Sequence, residues 1–75
     1  MRNDQKARLR KIAKLVEELR LETENLVSEL DEYISDNQDT LEGTERGEKL
    51  DTELDEVFML NDTFEMLISE ITDIA

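Results

Sequence analysis

The apolar residues in the first half of this chain fall at Leu9, Ile12, Val16, Leu19, Leu26, Leu30 and Tyr33. With Thr23 filling the one gap, the steps between them alternate between three and four residues. That interval belongs to an α-helix that keeps one narrow stripe against a neighbour, because 3.6 residues complete a turn and a repeat averaging 3.5 holds the same edge in contact. The second half repeats the device with Leu50, Leu54, Val57, Phe64, Ile68, Ile71 and Ala75, and Asn61 fills its gap. Charged residues make up 40% of the chain, which on its own would suit a disordered segment. Two seams of this regularity argue against disorder.

Between the seams, Asp36 to Gly47 breaks the pattern and holds both glycines. Thr44 is the expected N-cap of the second helix, with Glu45 on the favourable side of its dipole. Gly47, one turn in, is expected to weaken that end by about 1 kcal/mol relative to alanine. The spacing predicts helices over about 4–37 and 45–73 joined by a turn over about 38–44, all in one domain spanning 1–75. Facing residues are expected to have numbers that sum to 87, so that Leu30 meets Val57, Leu26 meets Asn61 and Thr23 meets Phe64. The turn would then centre between Gly43 and Thr44. Thr23 and Asn61 are the two polar seam positions, and a buried polar layer fixes register or oligomeric state in such helices.

Further apolar residues flank the seams: Val27, Ile34 and Phe58 on one side, Leu15, Leu60, Leu67 and Ile74 on the other. An isolated pair of helices would leave them wet, whereas four helices would cover them. The expected fold class is therefore all-α, an antiparallel two-helix hairpin that dimerises into a four-helix bundle. Charge supports the fold-back. The chain has 21 acids and 9 bases for a net charge of -12, yet its first 20 residues carry a net +4. Folding back brings Lys6, Arg8, Arg10, Lys11 and Lys14 toward Glu65, Glu70 and Asp73, and sets Arg20 opposite Glu65. Exposed pairs of this kind contribute under about 1 kcal/mol each, so they select orientation more than they stabilise.

Composition narrows the chemistry. There is no histidine and no cysteine, which removes the commonest general base, thiol catalysis and zinc-thiolate sites. Loops starting at Asp36 or Asp39 lack the glycine and glutamate positions of a calcium-binding loop. Gly43 to Lys49 lacks the spacing of a phosphate loop, and no serine or threonine has an activating base beside it. No catalytic, cofactor-binding or metal-binding residue is expected, and the chain is not read as an enzyme. No run reaches the roughly 18 apolar residues of a membrane span, and Met1 to Lys6 lacks the apolar stretch of a signal peptide. The expectation is a cytoplasmic protein with no membrane partner.

The basic segment Lys6 to Lys14 could touch nucleic acid, but its match to the acids of the second helix favours a structural role. Strong acidity also argues against direct nucleic-acid binding. The sharper lead is the acidic surface of the second helix, Glu48, Asp51, Glu53, Asp55, Glu56 and Asp62. Three roles fit: a protein-interaction module, a nucleic-acid mimic that occupies the groove of a basic host protein such as a defence nuclease, or a structural assembly piece. The bland reading of the acids is a solvated face that keeps a small bundle soluble.

The segment Asp31-Glu32-Tyr33 to Asp36-Asn37, followed by Leu41-Glu42-Gly43-Thr44-Glu45-Arg46-Gly47-Glu48, resembles a group of small acidic helical proteins in phage and prophage genomes. In those, an acidic helix end containing a tyrosine leads through an Asn-Pro-Glu-Asn-Leu-Gln-Gly-Ser-Glu-Arg type of turn into a second acidic helix. This chain departs from them in having no proline, with Gln38-Asp39-Thr40 in that part of the turn. The resemblance implies a helical hairpin of phage-related origin and no particular activity.

Overall fold

The computed structural model describes residues 1–75 as three helices and no strand: α1, Asn3–Asp36; α2, Gln38–Leu41; and α3, Glu45–Ile74. The molecule is a rod of 57 × 15 × 12 Å in which α1 and α3 lie side by side. Three side-chain contacts fix their relative direction. Arg46 donates to the Tyr33 hydroxyl at 3.0 Å, Thr23 meets Asn61 at 3.0 Å, and Arg20 lies 3.7 Å from Glu65. Residue numbers fall along one helix as they rise along the other, so the pair is antiparallel.

Local chemistry sets the ends. At the start of α1 the Gln5 side chain accepts from the Arg2 backbone N–H at 2.9 Å, satisfying one of the amides that a helix start leaves open. At its far end Asn37 leaves the helical region at φ -113°, and its side-chain amide donates to the Tyr33 carbonyl at 2.8 Å. The single turn of α2 then turns Leu41 inward, where it is 6% exposed and forms the most shielded apolar contact in the protein. Gly43 reverses the chain at φ +73°, a conformation that costs other residues about 1–2 kcal/mol. Thr44 caps α3 as expected, accepting from the Gly47 N–H at 3.0 Å while its own hydroxyl donates to the Leu41 carbonyl at 2.6 Å.

The seam of α3 matches the sequence spacing as far as the helix runs: Leu50, Leu54, Val57, Asn61, Phe64, Ile68 and Ile71 are half-buried, while Ala75, expected to close the seam, is exposed beyond the helix end. The seam of α1 does not. Leu9, Val16, Thr23 and Leu30 face inward, but Ala13, Arg20, Val27 and Ile34 accompany them, and Ile12, Leu19, Leu26 and Tyr33 stand exposed. The helix is rolled by one position, so Val27 and Ile34, expected on a flank, belong to the seam. Facing residue numbers sum to 84 rather than 87: Thr23 meets Asn61, and the half-buried Val27 and Leu30 fall level with Val57 and Leu54.

The cause lies beyond the helix. Extended by one heptad, the row Ala13, Arg20, Val27, Ile34 arrives at Leu41, whereas the row Ile12, Leu19, Leu26, Tyr33 arrives at the polar Thr40. Burying Leu41 pins the roll of α1 and moves the centre of the reversal to Glu42. It also reverses the expectation for Gly47. A Cβ there would overlap the Leu41 carbonyl oxygen and approach its carbonyl carbon to 3.0 Å, so glycine is what allows α3 to start this close to α2.

Candidate functional site

Rolling α1 exposes a surface that the sequence spacing had assigned to the interior. Leu19, Leu26, Leu60 and Phe64 line one open groove along the α1–α3 junction, with Thr23 on its floor and Glu22, Asn25 and Glu29 at its margin. A second hollow continues it along α1 through Leu15, Leu19 and Leu21. Helical periodicity carries the same side of the rod to Ile12 on α1 and to Leu67 and Ile74 on α3, at seven-residue intervals from Leu19 and Leu60. Apart from the half-buried Phe64 and the buried Thr23, each of these side chains is exposed; Leu19, for example, keeps 52% of its surface in water. Single exposed leucines are ordinary, but a continuous apolar strip with an acidic margin has the anatomy of a protein-binding face.

The residues expected on the flanks therefore divide three ways. Leu15, Leu60, Leu67 and Ile74 lie along the strip, Val27 and Ile34 are in the seam, and Phe58 is exposed on the opposite side of the rod. Ile12, Leu19 and Leu26 were expected in the core and belong to the strip. The signal that could have found them is the one that rolls α1, the heptad phase of Leu41.

The acidic set divides as well. Glu48, Asp51, Asp55 and Asp62 follow spacings of three, four and seven and share one side of α3, facing away from the strip. Glu53 and Glu56 project from the other side, and Glu53 is half-buried. The six do not form one surface. No group of three or more acids converges in a way that could hold a metal ion.

Between α1 and α3, the polar positions Thr23 and Asn61 meet as one layer. The Thr23 hydroxyl lies 2.7 Å from the Arg20 carbonyl and 3.0 Å from the side-chain oxygen of Asn61. One hydroxyl hydrogen cannot serve both acceptors; turning the Asn61 amide so that its nitrogen donates to Thr23 satisfies the pair. Thr23 is only 9% exposed, and no buried side-chain polar atom is left without a partner.

Beside this layer Arg20 occupies a seam position, with its guanidinium turned to the side opposite the strip. It donates to Glu17 at 2.7 Å and to Glu24 at 3.4 Å, and lies 3.7 Å from Glu65. The hydrogen bonds from Arg20 hold the Glu17 carboxyl below the usual carboxylate range, and the same bonds raise Arg20 further above its ordinary value. Arg20 thus covers the seam with its methylene stem while its charge is held among three acids. No helix is long and apolar enough to cross a membrane. No protein-family model, curated protein or solved structure matches the chain.

Proposed function

We propose that this chain is a small acidic protein-interaction module, without enzymatic activity, whose working surface is the apolar strip of Leu15, Leu19, Leu26, Leu60, Leu67 and Ile74. The observation that supports the reading is the side-by-side placement of these side chains on one face, exposed and bordered by acids. In this reading the two long helices form a coiled-coil-like hairpin, and two hairpins close the strip between them as a four-helix bundle. The acids of α3 facing away from the strip keep the assembly soluble in a cytoplasmic setting. The resemblance over residues 31–48 supports a phage or prophage origin.

Light scattering across micromolar concentrations tests the reading. The wild type should have twice the chain mass, and Leu19→Glu should halve it while retaining helical circular dichroism. A wild type that stays monomeric would remove the strip as a self-association surface.

A second reading, mimicry of nucleic acid toward a basic host protein, draws on the row Glu48, Asp51, Asp55 and Asp62 along a rod 57 Å long. Such binding should weaken steeply with salt and be lost when Asp51, Asp55 and Asp62 are changed to lysine. A strip-mediated contact should resist moderate salt.

A further inference from the structure

We infer that the strip is covered by a second copy of this chain lying antiparallel, crossed near Leu19 and Leu67, so that the two acidic turns point to opposite ends of the assembly. The inference rests on the self-association proposed above and adds its partner geometry.

The first argument is area. The accessible surface is 5911 Å², whereas a compact folded monomer of 8.8 kDa would expose about 4,800 Å². The excess of roughly 1,100 Å² exceeds the ~800 Å² that each partner buries in a standard stable interface. An elongated chain that shields only two residues has the surplus that a second copy would cover.

The second argument is the symmetry of the strip. On α1, the aliphatic part of the exposed row, Ile12, Leu19 and Leu26, is centred on Leu19, with Tyr33 continuing the row toward the turn; on α3, the row Leu60, Leu67, Ile74 is centred on Leu67. In the register that pairs Thr23 with Asn61, Leu19 and Leu67 lie within about two residues of the same level, or ~3 Å along the rod. A two-fold axis through that level, perpendicular to the rod, sets Leu19 on its own counterpart and Ile12 on Leu26 of the second copy. On the other helix it sets Leu67 on its counterpart and Leu60 on Ile74. A surface that matches itself under rotation is what a two-fold interface requires.

The third argument is charge. A parallel dimer would also bring apolar rows together, so packing alone does not select the orientation. Residues 21–63 carry 15 acids and two bases, a net of -13, while residues 1–20 and 64–75 together carry seven bases and six acids. Parallel association would place the two strongly negative segments side by side. The antiparallel crossing instead brings Lys6, Arg8, Arg10 and Lys14 level with Glu24, Glu29, Asp31 and Glu32 of the second copy, and leaves the turns overhanging at either end. Complementary charge selects orientation in this way even where each pair is weak.

The chain has no cysteine, so a single Asp36→Cys change introduces one labelling site near the turn. Spin labels there should lie about 50 Å apart in the antiparallel dimer, given ~1.5 Å of rise for each of 17 residues on either side of the axis. A dimer with labels within about 25 Å would overturn the orientation while leaving self-association intact. A labelled protein that scatters as a monomer would overturn both. Phe58→Glu, on the side away from the strip, should preserve the long distance. Loss of the dimer in that variant, with helicity retained, would place the interface on the wrong face.

Discussion

Gly47 is the position at which the general rules for helices and the structure of this protein give opposite answers. In an ordinary helix interior, glycine to alanine stabilises by about 1 kcal/mol, since the backbone loses less entropy on folding. Here the new Cβ would overlap the Leu41 carbonyl oxygen and stand 3.2 Å from the Thr44 hydroxyl oxygen. Relieving the overlap means moving backbone. That carbonyl accepts from both the Thr44 N–H and the Thr44 hydroxyl, and Leu41 itself is the most shielded apolar residue. Forced overpacking of this kind costs about 1–3 kcal/mol, and disturbing the Thr44 cap adds up to ~1 kcal/mol. After the propensity gain is subtracted, Gly47→Ala should destabilise by up to about 3 kcal/mol, with about 1–2 kcal/mol the middle of that range. For a domain of this size that is a fall in Tm of roughly 5–15 °C. Thermal circular dichroism at one fixed protein concentration measures it, since association shifts the apparent Tm. Gly43 supplies the contrast: nothing lies within 4 Å of a Cβ there, and its cost arises from φ +73° alone. Gly43→Asn should therefore be far milder than Gly43→Val, whereas at Gly47 any side chain should be harmful. A Gly47→Ala protein that melts higher than wild type would refute the close approach of α2 to α3.

Asn61→Leu should raise stability by about 1 kcal/mol, because Thr23 keeps its bond to the Arg20 carbonyl and apolar area is gained in the seam. The same change should broaden the Asp36→Cys label distances, since a polar layer that specifies register has been removed; a lowered Tm would contradict the first half of this expectation. For Glu17, whose folded carboxyl is lowered by Arg20, the stabilisation is present above the ordinary carboxylate value of 4.5 and disappears as pH falls through the lowered one. Melts of wild type and Glu17→Gln should accordingly differ slightly at neutral pH and converge in acid. A gap that widens on acidification would reverse the assigned sign.

Much of the architecture is legible in residue spacing. The stripe of α3, the cap at Thr44, the reversal near Gly43 and the polar seam positions Thr23 and Asn61 all follow from the order of residue types, but that these two meet each other does not: spacing set them opposite Phe64 and Leu26. What spacing alone assigned wrongly is the roll of α1. Two adjacent heptad rows on that helix are apolar enough to be buried, and side-chain hydrophobicity favours Ile12, Leu19, Leu26 and Tyr33 over Ala13, Arg20, Val27 and Ile34. The structure buries the weaker row because it leads to Leu41, a tertiary demand placed outside the helix that meets it. The same roll decides the candidate surface, since the stronger row becomes the exposed strip. The acidic face is a milder case. Residue type located the acids, but only helical phase shows that Glu53 and Glu56 stand apart from the other four.

The rod shape has a consequence for how long the protein survives. With only two residues of 75 buried, almost every backbone amide is one broken helical bond from solvent, and there is no deep interior to slow its exchange. Local opening rather than global unfolding then governs access by proteases. Residues near the Thr23–Asn61 layer should exchange slowest and the helix ends at Asn3 and Ile74 fastest. Occupancy of the strip would raise protection most along Leu15 to Leu26 and Leu60 to Leu67. The lifetime of the chain would thus track its concentration, with scarce copies degraded and paired ones spared.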